Sequence, residues 1–278
     1  MSVDTQVRTP GAPADAAQRL FDQDAAPVRS GAVIGPWWAL VRRGLRRSAR
    51  SGELISAIVS PALLAACFYY PLHRTIGAQG IDYGQFLLPI IVLQSVSFVA
   101  TGAAVRSATD IREGISTRLR ALPMPANLPW VSRLSVNMAV AAVSVAVAFA
   151  CGLAIGWRNH GGAGGLVALL VVIVAVTVLA ALAADTLGVT TANPVLTTQI
   201  VTLPSLILGM LSTGFIPESN FPEWIRPFAR NQPISQFIDA MRTVSDGEFA
   251  WHRIASAAAW WVGLTVVTVI WAQRSGRR

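Results

Sequence analysis

The chain alternates long apolar runs with short polar segments. Six runs stand out, at 54–72, 86–105, 134–157, 166–184, 195–216 and 254–272. Each has about the 20 residues that a helix needs to cross a hydrocarbon core of roughly 30 Å. None carries a charged side chain in its interior. They are apolar all round rather than along one stripe, the pattern of helices that touch lipid. The spacing therefore predicts an all-α integral membrane protein with six transmembrane helices. Residues 1–33, rich in Ala, Pro and Asp, lack the apolar centre of a signal peptide. They read as a disordered cytoplasmic tail, and residues 34–278 as one transmembrane domain.

Between the runs lie three amphipathic stretches. In the first, before the first span, Trp37, Trp38, Leu40, Val41 and Leu45 share one helical face, and Arg42, Arg43, Arg46, Arg47 and Arg50 the other. This is an interfacial elbow helix, with aromatics at the headgroup level and guanidiniums towards anionic membrane lipid or a cytoplasmic partner. The second lies between runs two and three. Ile111, Ile115, Leu119 and Leu122 recur at helical spacing among Asp110, Arg112, Glu113, Arg118 and Arg120, and Pro123 and Pro125 end it. A short amphipathic helix spanning Asp110 to Leu122 is expected there, with mixed charge suited to docking a soluble protein. The third stretch precedes the last run. It holds two pieces, one with Trp224, Ile225 and Phe228, the other with Phe237, Ile238, Met241 and Val244. They are expected to lie in the outer interface or dip into it as a re-entrant hairpin. Asp239 and Arg242 stand at i, i+3 and can pair, and Arg226 or Arg230 can also reach Asp239.

Composition narrows the class. Charged residues make up 13% of the 278 and hydrophobic ones 53%, with a mean hydropathy of +0.53. A soluble domain carries about 25% charged residues, so a soluble enzyme is excluded in favour of a membrane protein. The 22 basic residues are all Arg. Without Lys, no phosphate-binding P-loop lysine, Schiff base or Ser-Lys dyad is possible. The net charge of +8 sits between the runs and reads as topology, not as nucleic-acid binding. With the N-terminus inside, sixteen Arg fall on the inner side and six on the outer. Both termini are thus expected in the cytoplasm, in a multi-pass protein of the plasma membrane.

The runs offer little catalytic chemistry. His73, His160 and His252 lie outside them, and no intramembrane Ser/His or Asp/Asp pair exists. No catalytic residue and no metal site are expected. Cys67 and Cys151 fall inside runs and read as buried free thiols. Asp185 closes the fourth run. Gln94, Ser95 and Ser97, and Thr197, Thr198, Gln199 and Thr202, form two polar clusters expected to bond to neighbouring helices. Gln94, Ser97, Thr198, Gln199 and Thr202 are candidates for lining a substrate path. Gly152 and Gly156 read as close helix packing. Three functions remain open on the residues alone: a subunit driven by a separate ATPase, a six-span secondary transporter, and a non-transport membrane scaffold. The second lacks the buried charge that ion coupling uses; the third predicts no ATPase partner.

Three marks together resemble the permease subunits of ABC-2 type exporters, over nearly the whole chain after the tail. The basic elbow runs into a span with Pro61. The segment DIREGISTRLRALPMP resembles the family's acidic-Gly-Leu-Pro coupling helix, with Ile115 where Thr often follows the Gly. The stretch GFIPESNFPEWIRPFARNQPISQFIDAMR resembles the family's series before the last span, carried by Gly214, Pro217, Pro222, Trp224, Asn231, Pro233, Ala240 and Arg242. Within the family the chain looks nearest to the actinobacterial daunorubicin-resistance permeases, a group that includes exporters of phthiocerol dimycocerosate.

The resemblance implies a non-catalytic transmembrane subunit that moves a lipid or hydrophobic drug-like substrate outward. Two ABC ATPase subunits, which use ATP and Mg2+, would bind below. This chain would hold no cofactor itself and would pair with a second permease, identical or homologous. Asp110, Ile111, Arg112, Glu113, Gly114, Arg118, Leu119, Leu122 and Pro123 would meet the ATPase. Pro217, Trp224, Arg226, Phe228, Asn231, Pro233, Phe237, Asp239 and Arg242 would form the outer gate.

Overall fold

A computed structural model describes residues 34–77, 82–120, 124–125, 127–248 and 250–275. The expected tail at 1–33, and Leu122 and Pro123, lie outside the described residues. Every regular element among the described residues is helical. In chain order they are α1 (Ile34–Arg50), α2 (Glu53–Gly77), α3 (Tyr83–Arg112), α4 (Ile115–Arg120), α5 (Leu128–Ala154), α6 (Gly162–Thr191) and α7 (Pro194–Met210). A 3₁₀ turn follows at Glu218–Asn220, then α8 (Arg226–Asn231), α9 (Pro233–Ser245) and α10 (Trp251–Ser275).

Helix α3 is the axis of the bundle. Asp82 caps it, its carboxylate accepting from the backbone N–H groups of Gly84 and Gln85 at 3.0 and 3.3 Å. The helix packs against α2, α5, α6, α7 and α9. Near its start, Leu87, Leu88, Ile90, Ile91 and Val92 meet Leu169 and Ile173 of α6 and Ile238, Met241 and Val244 of α9. Further along, Val99 joins Val41, Ala57, Val136 and Val140. Small residues Ala100, Ala103 and Ala104 let Ala184 and Val201 approach. By contrast α2, α7 and α10 keep large apolar side chains exposed, among them Leu63, Ile200, Leu203 and Val267. Such faces suit lipid or a second membrane chain.

Several expectations are corrected. Among the described residues five helices, α2, α3, α5, α6 and α10, are long and apolar enough to cross a membrane, and α7 is a shorter apolar helix where a sixth span was expected. The run at 195–216 forms only the 17 residues of α7, about 26 Å at 1.5 Å per residue. Beyond Met210 the chain turns, because side chains satisfy the backbone there instead. Ser212 donates to the Gly209 carbonyl and accepts from the Gly214 N–H, and Ser235 Oγ accepts from the Thr213 N–H. The third run is shifted: α5 starts at Leu128 and stops at Ala154, before Gly156 and Trp157. Gly152 does pack tightly, on Leu88, but Gly156 is a turn residue with open space around it. Cys67 is exposed and Cys151 half-buried; both are free. Most of the intramembrane hydroxyls bond within their own helix rather than across to a neighbour. Ser95, Ser97, Thr197 and Thr198 donate to the carbonyls of Ile91, Leu93, Asn193 and Pro194. Ser144 and Ser256 do reach across, Ser144 from α5 to the Ala57 carbonyl of α2 at 2.8 Å and Ser256 from α10 to the Gln236 side chain of α9.

Candidate functional site

Two regions gather the residues of interest, one at each end of α3. The first is the basic end, where α1 and α4 lie. Helix α1 seats Val41 and Ser48 against the bundle. Trp37 Nε1 donates to Ser135 Oγ of α5 at 3.3 Å, and Gly44 lies against Val136. Trp38, Arg42, Arg43, Arg46 and Arg50 remain exposed. Among the described residues, Arg47 is the arginine of α1 that meets a carboxylate: its Nη1 donates to Asp110 Oδ1 at 2.6 Å, and its Nη2 stands 3.8 Å from Glu113 Oε2.

The expected single helix from Asp110 to Leu122 is two pieces. Asp110, Ile111 and Arg112 form the last turn of α3. The chain then bends at Glu113–Gly114 and restarts as α4. The bend has a physical cause. The N–H groups of Glu113 and Gly114 bond back to Thr109 and Ile111 at 2.9 and 3.0 Å, and Gly114 takes φ +68 with nothing within 4 Å. Glycine enters this left-handed region without steric cost. Arg112, Glu113 and Arg118 are exposed, while Gly114 and Leu119 are half-buried. Leu119 and Ile115 face Leu40, Arg43 and Arg47 across a narrow cleft of about 80 Å³.

Beneath this surface lies an ion-pair network that the sequence reading did not assemble. Arg106 pairs with Glu53 of α2 and donates to Asn137 of α5. Arg133 of α5 grips Asp185 of α6 with both Nε and Nη2, at 2.9 and 3.1 Å. Ser107 of α3 donates to the same carboxylate. Glu53, Arg106, Arg133 and Asp185 each stand one residue outside an apolar run. Four charges of balanced sign at one membrane face were the signal available.

The second region is the opposite end. Arg242 Nη1 donates to the Thr213 carbonyl at 3.0 Å, and its Nη2 to the carbonyls of Phe86 and Gly214 at 2.9 and 3.1 Å. Its guanidinium lies 3.7 Å over the Phe86 ring. Asp239 is 3.7 Å away, the expected i, i+3 neighbour. Gly214 leaves no room for a Cβ between Ile238 and Ile90. Burial draws the Arg242 guanidinium down to about 10, against the pull of Asp239. Burial likewise pushes the Asp239 carboxyl up, with Arg242 and Arg253 pulling the other way. Desolvation outweighs the loose pair in both groups.

Of the other expected gate residues, Pro217, Asn231, Asp239 and Arg242 line one polar cavity of about 630 Å³ with Arg230, His252 and Arg253. The Asn231 carbonyl accepts from Trp260 Nε1 of α10 at 3.1 Å. Arg226 binds the Phe221 carbonyl at 2.9 Å rather than Asp239, and Arg230 stands 3.8 Å from Glu218. Pro233 opens α9, and Phe237 is in the core. Trp224 and Phe228 are exposed and are not among the residues lining the cavity. The candidate path residues differ in burial: Gln94 is buried beside Gly209, Ser97 and Thr202 are half-buried, and Thr198 and Gln199 are exposed on α7.

Comparison with known proteins places this arrangement among membrane transporters. A family model described as an ABC-2 family transporter protein matches residues 70–272. The doxorubicin resistance ABC transporter permease DrrB of Mycobacterium tuberculosis is 32% identical over 275 residues, 91% of this chain and 95% of that protein. The probable doxorubicin resistance permease DrrC of the same organism is 28% identical, over 78% of this chain and 79% of its own length. The daunorubicin resistance permease DrrB1 of Streptomyces coeruleorubidus is 26% identical over 86% and 82%.

Proposed function

This chain belongs to the ABC-2 family of transporter proteins, and we propose that it exports a hydrophobic, lipid-like or drug-like substrate under the drive of a separate ATPase. It is an ABC transporter permease subunit, integral to the plasma membrane, and the basic end faces the cytoplasm in this reading. Two ATPases bind there on α4 and the bend before it. A second permease, identical or homologous, covers the exposed apolar faces of α2 and α7. Substrate leaves past α8 and α9, with Pro217, Asn231 and Asp239 at the exit.

The observation that carries the reading is mechanical. The docking candidate α4 joins, through a two-residue bend, the end of the most buried helix of the bundle. A push on α4 therefore reaches α3, which touches four other spanning candidates or apolar helices at once. This linkage supports the reading of export driven by an ATPase at α4. The test is co-expression with its genomic neighbours and purification of any ATPase that binds, followed by the Glu113→Arg substitution. The variant is expected to insert normally, to lose the ATPase on purification and to stop exporting. Normal export by Glu113→Arg refutes the docking assignment. Retention of the substrate inside the cell, measured with a fluorescent anthracycline and with labelled envelope lipid in parallel, identifies the class.

A further inference from the structure

Sequence spacing leaves the five arginines of α1 equivalent. The fold does not. Among the described residues, Arg47 is the one of the five that meets acidic partners, and both lie at the bend: Asp110 on the last turn of α3, Glu113 inside the turn itself. We propose that Arg47 is a positioning residue that sets the angle of α4 to α3, so that the elbow helix and the docking segment move as one body. This rests on the reading of α4 as the segment an ATPase meets.

Three observations carry it. First, the bend has no rigid continuity of its own. Two backbone bonds close it, and Gly114 faces open space, so its angle must be set by something outside it. Second, Arg47 is planar and forked, which lets one guanidinium hold two carboxylates in a fixed relation. Third, α1 is itself fixed to α5 through Trp37, Gly44 and the buried Val41 and Ser48. Arg47 thus ties the bend to an anchored body. Asp110 is then a partner of the elbow, not of the ATPase, and Glu113 stays exposed enough to serve both.

The test is a charge swap, with two independent readouts. Spin labels at A49C and R118C, with Cys67 and Cys151 replaced, report the α1–α4 distance in the permease alone. ATPase affinity is measured on unlabelled chains. Arg47→Glu is expected to broaden the distance distribution and weaken ATPase binding by up to about fivefold, the upper range for a half-exposed ion pair. Asp110→Arg should act alike. The double variant R47E/D110R should restore both readouts. An unchanged distance in Arg47→Glu, or a swap that rescues neither readout, overturns the proposal. If the distances respond and are rescued while no ATPase binds even the wild-type chain, the docking reading fails and the positioning role stands.

Discussion

Arg242 offers the sharpest test of how the opposite end is held together. Three carbonyls, those of Thr213, Gly214 and Phe86, converge on one guanidinium at 3.0, 3.1 and 2.9 Å. Two of these belong to the turn where α7 stops, and the third to the first turn of α3. The side chain is 17% exposed, so water replaces the lost donors poorly. A hydrogen bond to a charged group contributes about 1.5–3 kcal/mol, and a stranded buried acceptor costs about 1–3 kcal/mol. The guanidinium over Phe86 adds about 1–2 kcal/mol. These contributions overlap, and breaking a buried charged network costs about 3–5 kcal/mol in practice.

Arg242→Gln should therefore destabilise the chain by about 3–5 kcal/mol. In a chain of this size that corresponds to a Tm drop on the order of 10 °C. Arg242→Lys keeps the charge but not the fork, and should fall between the two. The assay is thermal unfolding of the purified protein in detergent, followed by loss of monodisperse protein. Limited proteolysis should open first at 211–217 in the variant. A Tm within about 2 °C of wild type for Arg242→Gln would refute the bracket, since even one stranded carbonyl exceeds that.

Other substitutions probe the rest of the frame. Asp185→Ala leaves Arg133 without its carboxylate and should cost about 3 kcal/mol, whereas the pair R133L/D185L should recover most of it; equal Tm losses in single and double variants would contradict this. Gly188→Val places a side chain where the Ala104 carbonyl and Ser107 stand, so α6 must part from α3 at a cost of about 1–3 kcal/mol or more, read as lower yield and Tm. Asp239 has its pKa raised by burial, so its charged form opposes folding and that penalty appears as pH rises through the folded-state pKa. Asp239→Asn should match or exceed wild-type stability at pH 7, with the difference vanishing in acid; a less stable variant at pH 7 would show that the pair with Arg242 dominates.

The helices, their apolar faces and the basic amphipathic helix α1 were legible because periodicity and burial follow the same rule at every position. Where a helix ends was less so. The run at 195–216 is apolar throughout, yet α7 stops at Met210. The turn that follows it is held at Thr213 by Ser235 and Arg242, 22 and 29 residues further along the chain, and no local pattern reveals a distant partner. The bend at Glu113–Gly114 was hidden for the opposite reason. The apolar spacing Ile111, Ile115, Leu119 fits one continuous helix, and only the left-handed φ of Gly114 shows that the face is shared by two.

Charge pairing was the least legible. Each of Glu53, Arg106, Arg133 and Asp185 looks alone like a topological flank. Their burial forces a choice that the sequence does not state, because a buried ion must find its partner in space. That choice gives α3 its role. The helix has 30 residues, about 45 Å of length. At the basic end Arg106 and Ser107 tie it to α2, α5 and α6, and Asp110 ties it to α1. At the other end the Phe86 carbonyl accepts from Arg242. Among the described residues α7 and α10 share no ion pair with α3. The seam between α3 and α7 is lined by Ala100, Ala103, Ala104 and Val201, small apolar groups that can slide. A force applied at the bend is thus shared by the ionically tied helices, and the packing against α7 is the contact that yields with least loss.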